Sequence, residues 1–251
     1  MVDALIRVGR GRTNLVAFTG AGISTDSGIP DYRGPGGVWE QGKPPTIGDF
    51  LENEETRRSY WQRRRFDYPT LATRQPNGAH RALAALERTG LLSAVITQNI
   101  DGLHQRAGND PDRVVELHGT AHRIRCISCG RYWHAVAIQR RLEAGEDVPR
   151  CEVCGGMLRS ATILFGEPLD KETLDRAVAA ASACDLMLVI GSSLVVNPAA
   201  RLPVLAKRNG AALAIVNRTP TPLDAVADVH VLGEATPVLE AFAAALIAER
   251  S

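Results

Sequence analysis

Leu15-Val-Ala-Phe-Thr-Gly-Ala-Gly-Ile-Ser24 reads as a buried strand that feeds a glycine turn. A strand covered on both faces shows an unbroken apolar run rather than alternation. Three more such runs stop at polar tips: Ala94–Thr97 before Gln98-Asn-Ile-Asp101, Leu186–Ile190 before Gly191-Ser-Ser193, and Ala212–Val216 before Asn217-Arg-Thr219. Helical stretches lie between them at Ala79–Thr89, where Leu83 and Leu86 share a face, at Lys171–Ala183 and at Ala199–Arg208. Strands alternating with helices predict an α/β fold, a doubly wound parallel sheet with helices on both faces. Ligands bind such sheets outside the carboxyl ends of the strands, so the four polar tips should face one crevice.

Two segments interrupt this alternation. Residues 34–77 hold a Pro/Gly-rich loop (Gly34-Pro-Gly-Gly-Val-Trp39, Lys43-Pro-Pro45), then a charged helix from about Glu52 to Phe66. Residues 119–159 hold two Cys-x-x-Cys pairs, Cys126/Cys129 and Cys151/Cys154, 21 residues apart, with a polar stretch Arg140–Arg150 between them. Four thiolates at this spacing can close a tetrahedral zinc site. Four sulfurs leave no open position for water, so the zinc is structural rather than catalytic. A thioredoxin-like redox role for one pair is the alternative, and the second pair argues against it. The expected smaller domain therefore comprises a helical insert (34–77) and a zinc-binding insert (119–159). The larger one takes 1–33, 78–118 and 160–251.

With 29 Lys plus Arg against 28 Asp plus Glu, the net field would not steer the chain toward nucleic acid. This weighs against a nucleic-acid-binding zinc-ribbon regulator. No apolar run approaches the ~18 residues needed to span a bilayer, and no h-region opens the chain, so a cytoplasmic protein with no membrane partner is expected. In a reducing compartment the paired cysteines favour zinc over disulfides. Cys184, before the run Leu186–Ile190, reads as a small packed hydrophobe.

Gly20-Ala-Gly22 after a strand suits backbone approach to a phosphate, although the spacing to Gly28 departs from G-x-G-x-x-G. In the continuation to Arg33, Asp31 offers a carboxylate for an amide and Arg33 a guanidinium for a pyrophosphate. Asn217 ends a strand where a ribose-reading polar group is expected. Taken in order, Gly20-Ala-Gly-Ile-Ser-x-x-Ser-Gly-Ile-Pro-Asp-Tyr-Arg33, Thr97-Gln-Asn-Ile-Asp-Gly-Leu-His104, Leu117-His-Gly119, the four cysteines, Phe165-Gly-Glu167 and Gly191-Ser-Ser-Leu194 resemble the sirtuins, NAD-dependent protein-lysine deacylases. The resemblance runs from about residue 14 to 240. It implies a Rossmann-like NAD-binding body, a smaller zinc-bearing part and a substrate cleft between them, with NAD as co-substrate and one structural Zn2+. Ala21, Gly22 and Arg33 then look like phosphate contacts, with Asp31 near the nicotinamide and Gly20, Ser24 and Tyr32 also counted as cofactor-binding. Gln98 and Asn99 resemble the residues that hold the nicotinamide ribose and Asp101 the acceptor for the carboxamide, with Ile100 between them also counted as cofactor-binding. Gly191, Ser192 and Ser193 lie under the adenosine phosphates, Asn217, Arg218 and Thr219 on the adenine-ribose side, and Ala235 in a late loop over the adenine.

Of the six histidines, His118 stands out, at the end of Val114-Val-Glu-Leu-His-Gly119 and the junction with the cysteine segment. The chemistry implied by the resemblance needs a base. An amide carbonyl attacks the anomeric carbon as nicotinamide leaves, and the ribose 2′-hydroxyl must then attack the resulting alkylimidate. A neutral imidazole can accept that hydroxyl proton, directly or through the 3′-hydroxyl. The products are free lysine, nicotinamide and O-acyl-ADP-ribose. His80 and His104 are read as bonded to neighbouring backbone, and His122, His134 and His230 as exposed or zinc-lobe surface.

Ile163, Phe165-Gly-Glu167 and Leu194-Val-Val-Asn-Pro198 match segments that sandwich an extended acyl-lysine peptide by strand addition, with Leu194 and Val195 singled out as substrate residues. Many members carry Arg-Pro-Asp or Arg-Pro-Asn before this motif; here the run is Arg159-Ser-Ala-Thr162, and the missing proline should loosen it. Tyr60 and Arg63, three apart on one helix face, resemble a pair that holds acidic acyl tails in the desuccinylase branch. Ile47-Gly-Asp-Phe50 and Gln75-Pro-Asn77 look more like the class II branch. The expected activity is protein-lysine deacetylation. Longer or acidic acyl groups (lipoyl, succinyl), mono-ADP-ribosyl transfer and a non-catalytic NAD-sensing scaffold are the alternatives.

Overall fold

The computed structural model describes residues 2–31 and 45–250. Tyr32, Arg33 and most of the Pro/Gly-rich loop lie outside the described residues. The strands are β1 (Leu15–Thr19), β2 (Leu92–Thr97), β3 (Val114–Glu116), β4 (Gly119–Cys126), β5 (Tyr132–His134), β6 (Leu158–Thr162), β7 (Leu186–Ile190), β8 (Ala212–Asn217) and β9 (Val229–Leu232). The helices are α1 (Val2–Gly9), α2 (Ile47–Glu52), α3 (Glu54–Thr73), α4 (Gly78–Arg88), α5 (Leu103–Ala107), α6 (Ala135–Glu143), α7 (Lys171–Ala183), α8 (Arg201–Arg208) and α9 (Ala235–Ala248).

Six strands form a parallel sheet in the order β3-β2-β1-β7-β8-β9. The order reverses between β1 and β7, the switch point at which such sheets open a crevice. The apolar runs are long because side chains on both faces are buried. Leu15, Ala17, Leu188, Ala214 and Val216 pack toward α4 and α9, with Leu83, Leu86, Leu239 and Phe242 among the partners. Val16, Phe18, Met187, Val189, Leu213 and Ile215 pack toward α7 and α8, against Ala177, Ala181, Leu202 and Ala206. Cys184 belongs to this second core.

The second sheet, β5-β4-β6, is antiparallel. Its core is smaller: Trp61 and Tyr68 from α3, Ile138 and Leu142 from α6, and Ile124, Leu158, Cys126 and Cys151. The charged helix expected to stop near Phe66 continues through Pro69 to Thr73. Trp61 and Tyr68 anchor its inner face, and the Arg106 guanidinium, donating to the carbonyls of Ala72 and Arg74, holds its end. Side-chain caps start several of the helices. Asn77 Oδ1 accepts from the amides of Ala79 and His80, and Asp170 from that of Thr173.

Candidate active site and metal centre

All six carboxyl ends of the parallel strands meet at one cavity of about 570 Å3. β1 contributes Gly20, Ala21 and Gly22; β2 Gln98, Asn99 and Ile100; β3 leads to His118; β7 gives Gly191, Ser192 and Ser193; β8 gives Asn217, Arg218 and Thr219; β9 ends at Gly233. Asp31 and Ala235 complete this side, and Thr162–Leu169 with Val196–Pro198 line the other. The tips of β1 and β7 touch closely: a Cβ on Gly191, where φ is +60°, would lie 2.3 Å from the Ile23 amide nitrogen. Only glycine fits there.

A buried polar layer sits beneath the cavity floor. The Ser24 hydroxyl donates to Asp101 Oδ2 at 2.7 Å, and Asn99 Nδ2 donates to Ser24 Oγ (3.1 Å) and the Gly20 carbonyl (3.2 Å). The amide of Leu103 donates to Asp101 Oδ1, and Gln98 Nε2 to Ser192 Oγ. Ser24 and Asp101 are therefore not brought to the lining; they hold Asn99, which is. His80, fully buried, faces Ser24 and Asn77, and burial pushes it down to about 4 against the pull of the Asp101 carboxylate. His104, whose pKa burial drives well below the ordinary imidazole value, lies 3.0 Å from Thr19 Oγ1. Both contact side chains more than the backbone expected for them. His122, expected at the surface, is half-buried with Nε2 2.8 Å from the Asp101 carbonyl. His134 caps α6, and His230 lies 3.2 Å from Asp224.

His118 reaches the cavity as a half-buried ring. Its Nδ1 is 2.9 Å from the Gln98 carbonyl, which has only lone pairs, so Nδ1 carries the proton and Nε2 keeps a free pair. Burial lowers the affinity for a second proton, and the bond to Gln98 opposes this more weakly. A neutral imidazole with a basic nitrogen is the result.

The four cysteine sulfurs lie within 4.8 Å of one another, with Cys126–Cys154 at 3.6 Å and Cys129–Cys151 at 3.8 Å. Sulfurs about 2.3 Å from a tetrahedral zinc stand about 3.8 Å apart, so this donor set fits one such ion. Each pair sits on the same turn. The amide of Gly130 closes on the Cys126 carbonyl and that of Gly155 on Cys151, both glycines at φ +70°.

Tyr60 and Arg63 are not brought to the cavity. Tyr60 bonds Ser160, and Arg63, exposed, pairs with Asp67. Leu194 is buried and Val195 exposed, both outside the lining, whereas Val196, Asn197 and Pro198 line it. Ile163, Phe165, Gly166 and Glu167 all line it. The sequence reading missed Gly233, although Val229 and Val231 before a glycine carry a shorter form of the same strand-tip signal.

The sequence model described as the Sir2 family matches residues 20–198. The chain is 47% identical over 223 residues to the NAD-dependent protein deacetylase 1 of Bradyrhizobium diazoefficiens, covering 88% of this chain and 87% of that one. It is 46% identical to the NAD-dependent protein deacetylase 2 of Streptomyces coelicolor (91% and 97% covered) and 44% identical to the NAD-dependent protein deacylase 2 of Archaeoglobus fulgidus (89% and 87%). Among solved structures, a Sir2–p53 peptide–NAD+ complex superposes with a TM-score of 0.86 at 37% identity, over 100% of this chain and 98% of the other.

Proposed function

Because the chain belongs to the Sir2 family, we propose that its strand-tip cavity removes acyl groups from lysines of protein or peptide substrates at the expense of NAD. The observation that carries this reading is the His118 imidazole, tautomerically fixed by Gln98 at the edge of a cavity lined by six strand ends. NAD supplies the ribose that takes the acyl group as nicotinamide leaves. His118 Nε2 takes the proton of a ribose hydroxyl, and Nδ1–H keeps the ring oriented through Gln98. Asn99 and Gln98 orient that ribose; Ser24 and Asp101 act through Asn99. Gly20–Gly22 and Gly191–Ser193 face the phosphates, the two tips packed backbone to backbone because glycines stand at 20, 22 and 191. Asp31 and Ile100 face the nicotinamide, and Asn217–Thr219 with Ala235 the adenosine. Tyr32 and Arg33 belong to the same assignment, outside the described residues.

The four cysteines hold one structural zinc and keep β4–β6 assembled. We take 1–33, 78–118 and 160–251 as the NAD-binding body, with 34–77 and 119–159 as the smaller part; β6 crosses that boundary. Ile163 and Phe165–Glu167 would present the edge to which the peptide adds. Acetyl is the default acyl group. The test is nicotinamide release with a panel of acetyl, succinyl and lipoyl peptides. His118→Ala should keep zinc and fold while slowing turnover by about 10²–10⁴-fold. Full activity in that variant overturns the assignment.

A further inference from the structure

Segment 162–167, which lines the cavity, is held by Arg159 and Tyr60, which lie outside the lining. Arg159 is buried. It donates from Nη1 to the Thr162 carbonyl and from Nη2 to Glu167 Oε1, while Glu167 Oε2 accepts from the Leu164 amide at 3.1 Å. The Glu167 amide returns to the Leu164 carbonyl at 3.1 Å. One residue along β6, the Ser160 amide donates to the Tyr60 hydroxyl (3.0 Å), which donates back to Ser160 Oγ (2.7 Å). The Tyr60 ring stands edge-on to Phe50 and Trp61, with centroids 5.1 and 5.3 Å away. The Ile47 amide closes the frame on the Phe165 carbonyl at 2.9 Å.

β6 is an edge strand, and an edge amide buried without a partner would be costly; Tyr60 supplies the partner at Ser160. A buried ion pair is justified less by net stability than by the single arrangement it enforces. Both devices converge on the register of 162–167. Strand addition to that segment is tighter when its backbone is already fixed, since less ordering is left to binding.

We propose that Tyr60 and Arg159 are positioning residues for the acyl-lysine peptide. Acting through Ser160 and Glu167, they hold the Ile163–Gly166 backbone as a preformed edge and contact neither peptide nor acyl group. This rests on the deacylase reading, and it gives Tyr60 a role other than gripping an acidic acyl tail. It also accounts for a serine at 160, since proline there would lack the amide that Tyr60 accepts from.

The experiment varies acetyl-lysine peptide and NAD independently for Arg159→Met, Arg159→Lys and Tyr60→Phe. KM for peptide should rise about tenfold in Arg159→Met and about threefold in Tyr60→Phe, with Arg159→Lys in between. The kcat, the KM for NAD and the acetyl:succinyl:lipoyl rate ratios should stay within about twofold. An unchanged peptide KM, an equal rise in both KM values, or a changed succinyl:acetyl ratio in Tyr60→Phe overturns the proposal. If the unaltered protein releases no nicotinamide with any acyl peptide, the deacylase reading fails by itself. Hydrogen exchange then decides on the frame: Arg159→Met should lose amide protection across 160–167 and keep it in β1 and β2, and unchanged protection overturns it.

Discussion

The six-stranded sheet and the cysteine lobe order their strands by opposite means. In the sheet β1, β2, β3, β7 and β8 each feed two apolar cores, Leu15 and Ala17 into one, Val16 and Phe18 into the other, so their register is fixed by burial on both sides. In the lobe three antiparallel strands share a core of few large side chains, and the four sulfurs, holding one zinc, would supply the remaining cross-links. A unit of this size cannot bury enough apolar surface to fold on that basis alone. The sheet should therefore be indifferent to the metal and the lobe dependent on it.

The largest expected effect comes from testing that contrast directly. Chelation, or Cys151→Ser, removes a contribution on the order of 10–16 kcal/mol to an apparent folding free energy. Amide protection should vanish in β4, β5 and β6 and persist in β1, β2, β7 and β8. Activity should go with the lobe, because β4 begins at Gly119, the residue after His118. Simultaneous loss of protection in both sheets would make the two regions one cooperative unit and end the comparison. The converse is Phe18→Ala, a fully buried side chain in the sheet. It should cost about 3–5 kcal/mol in global unfolding by denaturant, with zinc content unchanged in the folded protein.

The same contrast explains what the sequence disclosed. Strands buried on both faces leave unbroken runs, so β1, β2, β7 and β8 are readable within two residues at each end, and their polar tips announce the cavity. β4 reads Gly-Thr-Ala-His-Arg-Ile-Arg-Cys, half of it facing solvent, and only the cysteines mark it. The metal centre is legible because thiolate spacing is local. The pairing of Tyr60 with Ser160 spans 100 residues and leaves no local trace, so in the sequence Tyr60 reads together with Arg63 as a grip for an acidic acyl tail. Trp61, fully buried, sits in a helix whose other residues are mostly polar or charged, which hides the inner face of α3.

A pH profile sharpens the contrast on a smaller scale. Burial lowers the His118 pKa from the ordinary 6.5, so the neutral base survives to more acid pH than a free imidazole would. As pH falls through that lowered value, Nε2 gains a proton and the base is lost. The acid limb of kcat/KM should therefore lie below pH 6.5, falling about tenfold per pH unit. Thiolates also protonate in acid and release metal. Zinc content measured at each pH separates the two: the His118 limb should appear while zinc is still bound. A limb above 6.5 with zinc retained would contradict the buried, Gln98-bonded ring.

The smallest effect is expected on α3, the helix that packs against the lobe with Trp61 and turns Arg63 outward. Arg63 Nε is 3.1 Å from Asp67 Oδ2, with the two side chains 51% and 64% exposed. An i,i+4 pair this open contributes a few tenths of a kcal/mol at most. Arg63→Ala should thus leave thermal stability nearly unchanged and the relative rates for acetyl, succinyl and lipoyl peptides within about twofold, since Arg63 is not among the residues that line the cavity. A selective loss of succinyl activity would mean that the outer face of α3 reaches the acyl group. The lobe would then take part in choosing the substrate, and the division between a sheet that carries the chemistry and a metal-held lobe that braces it would have to be redrawn at this helix.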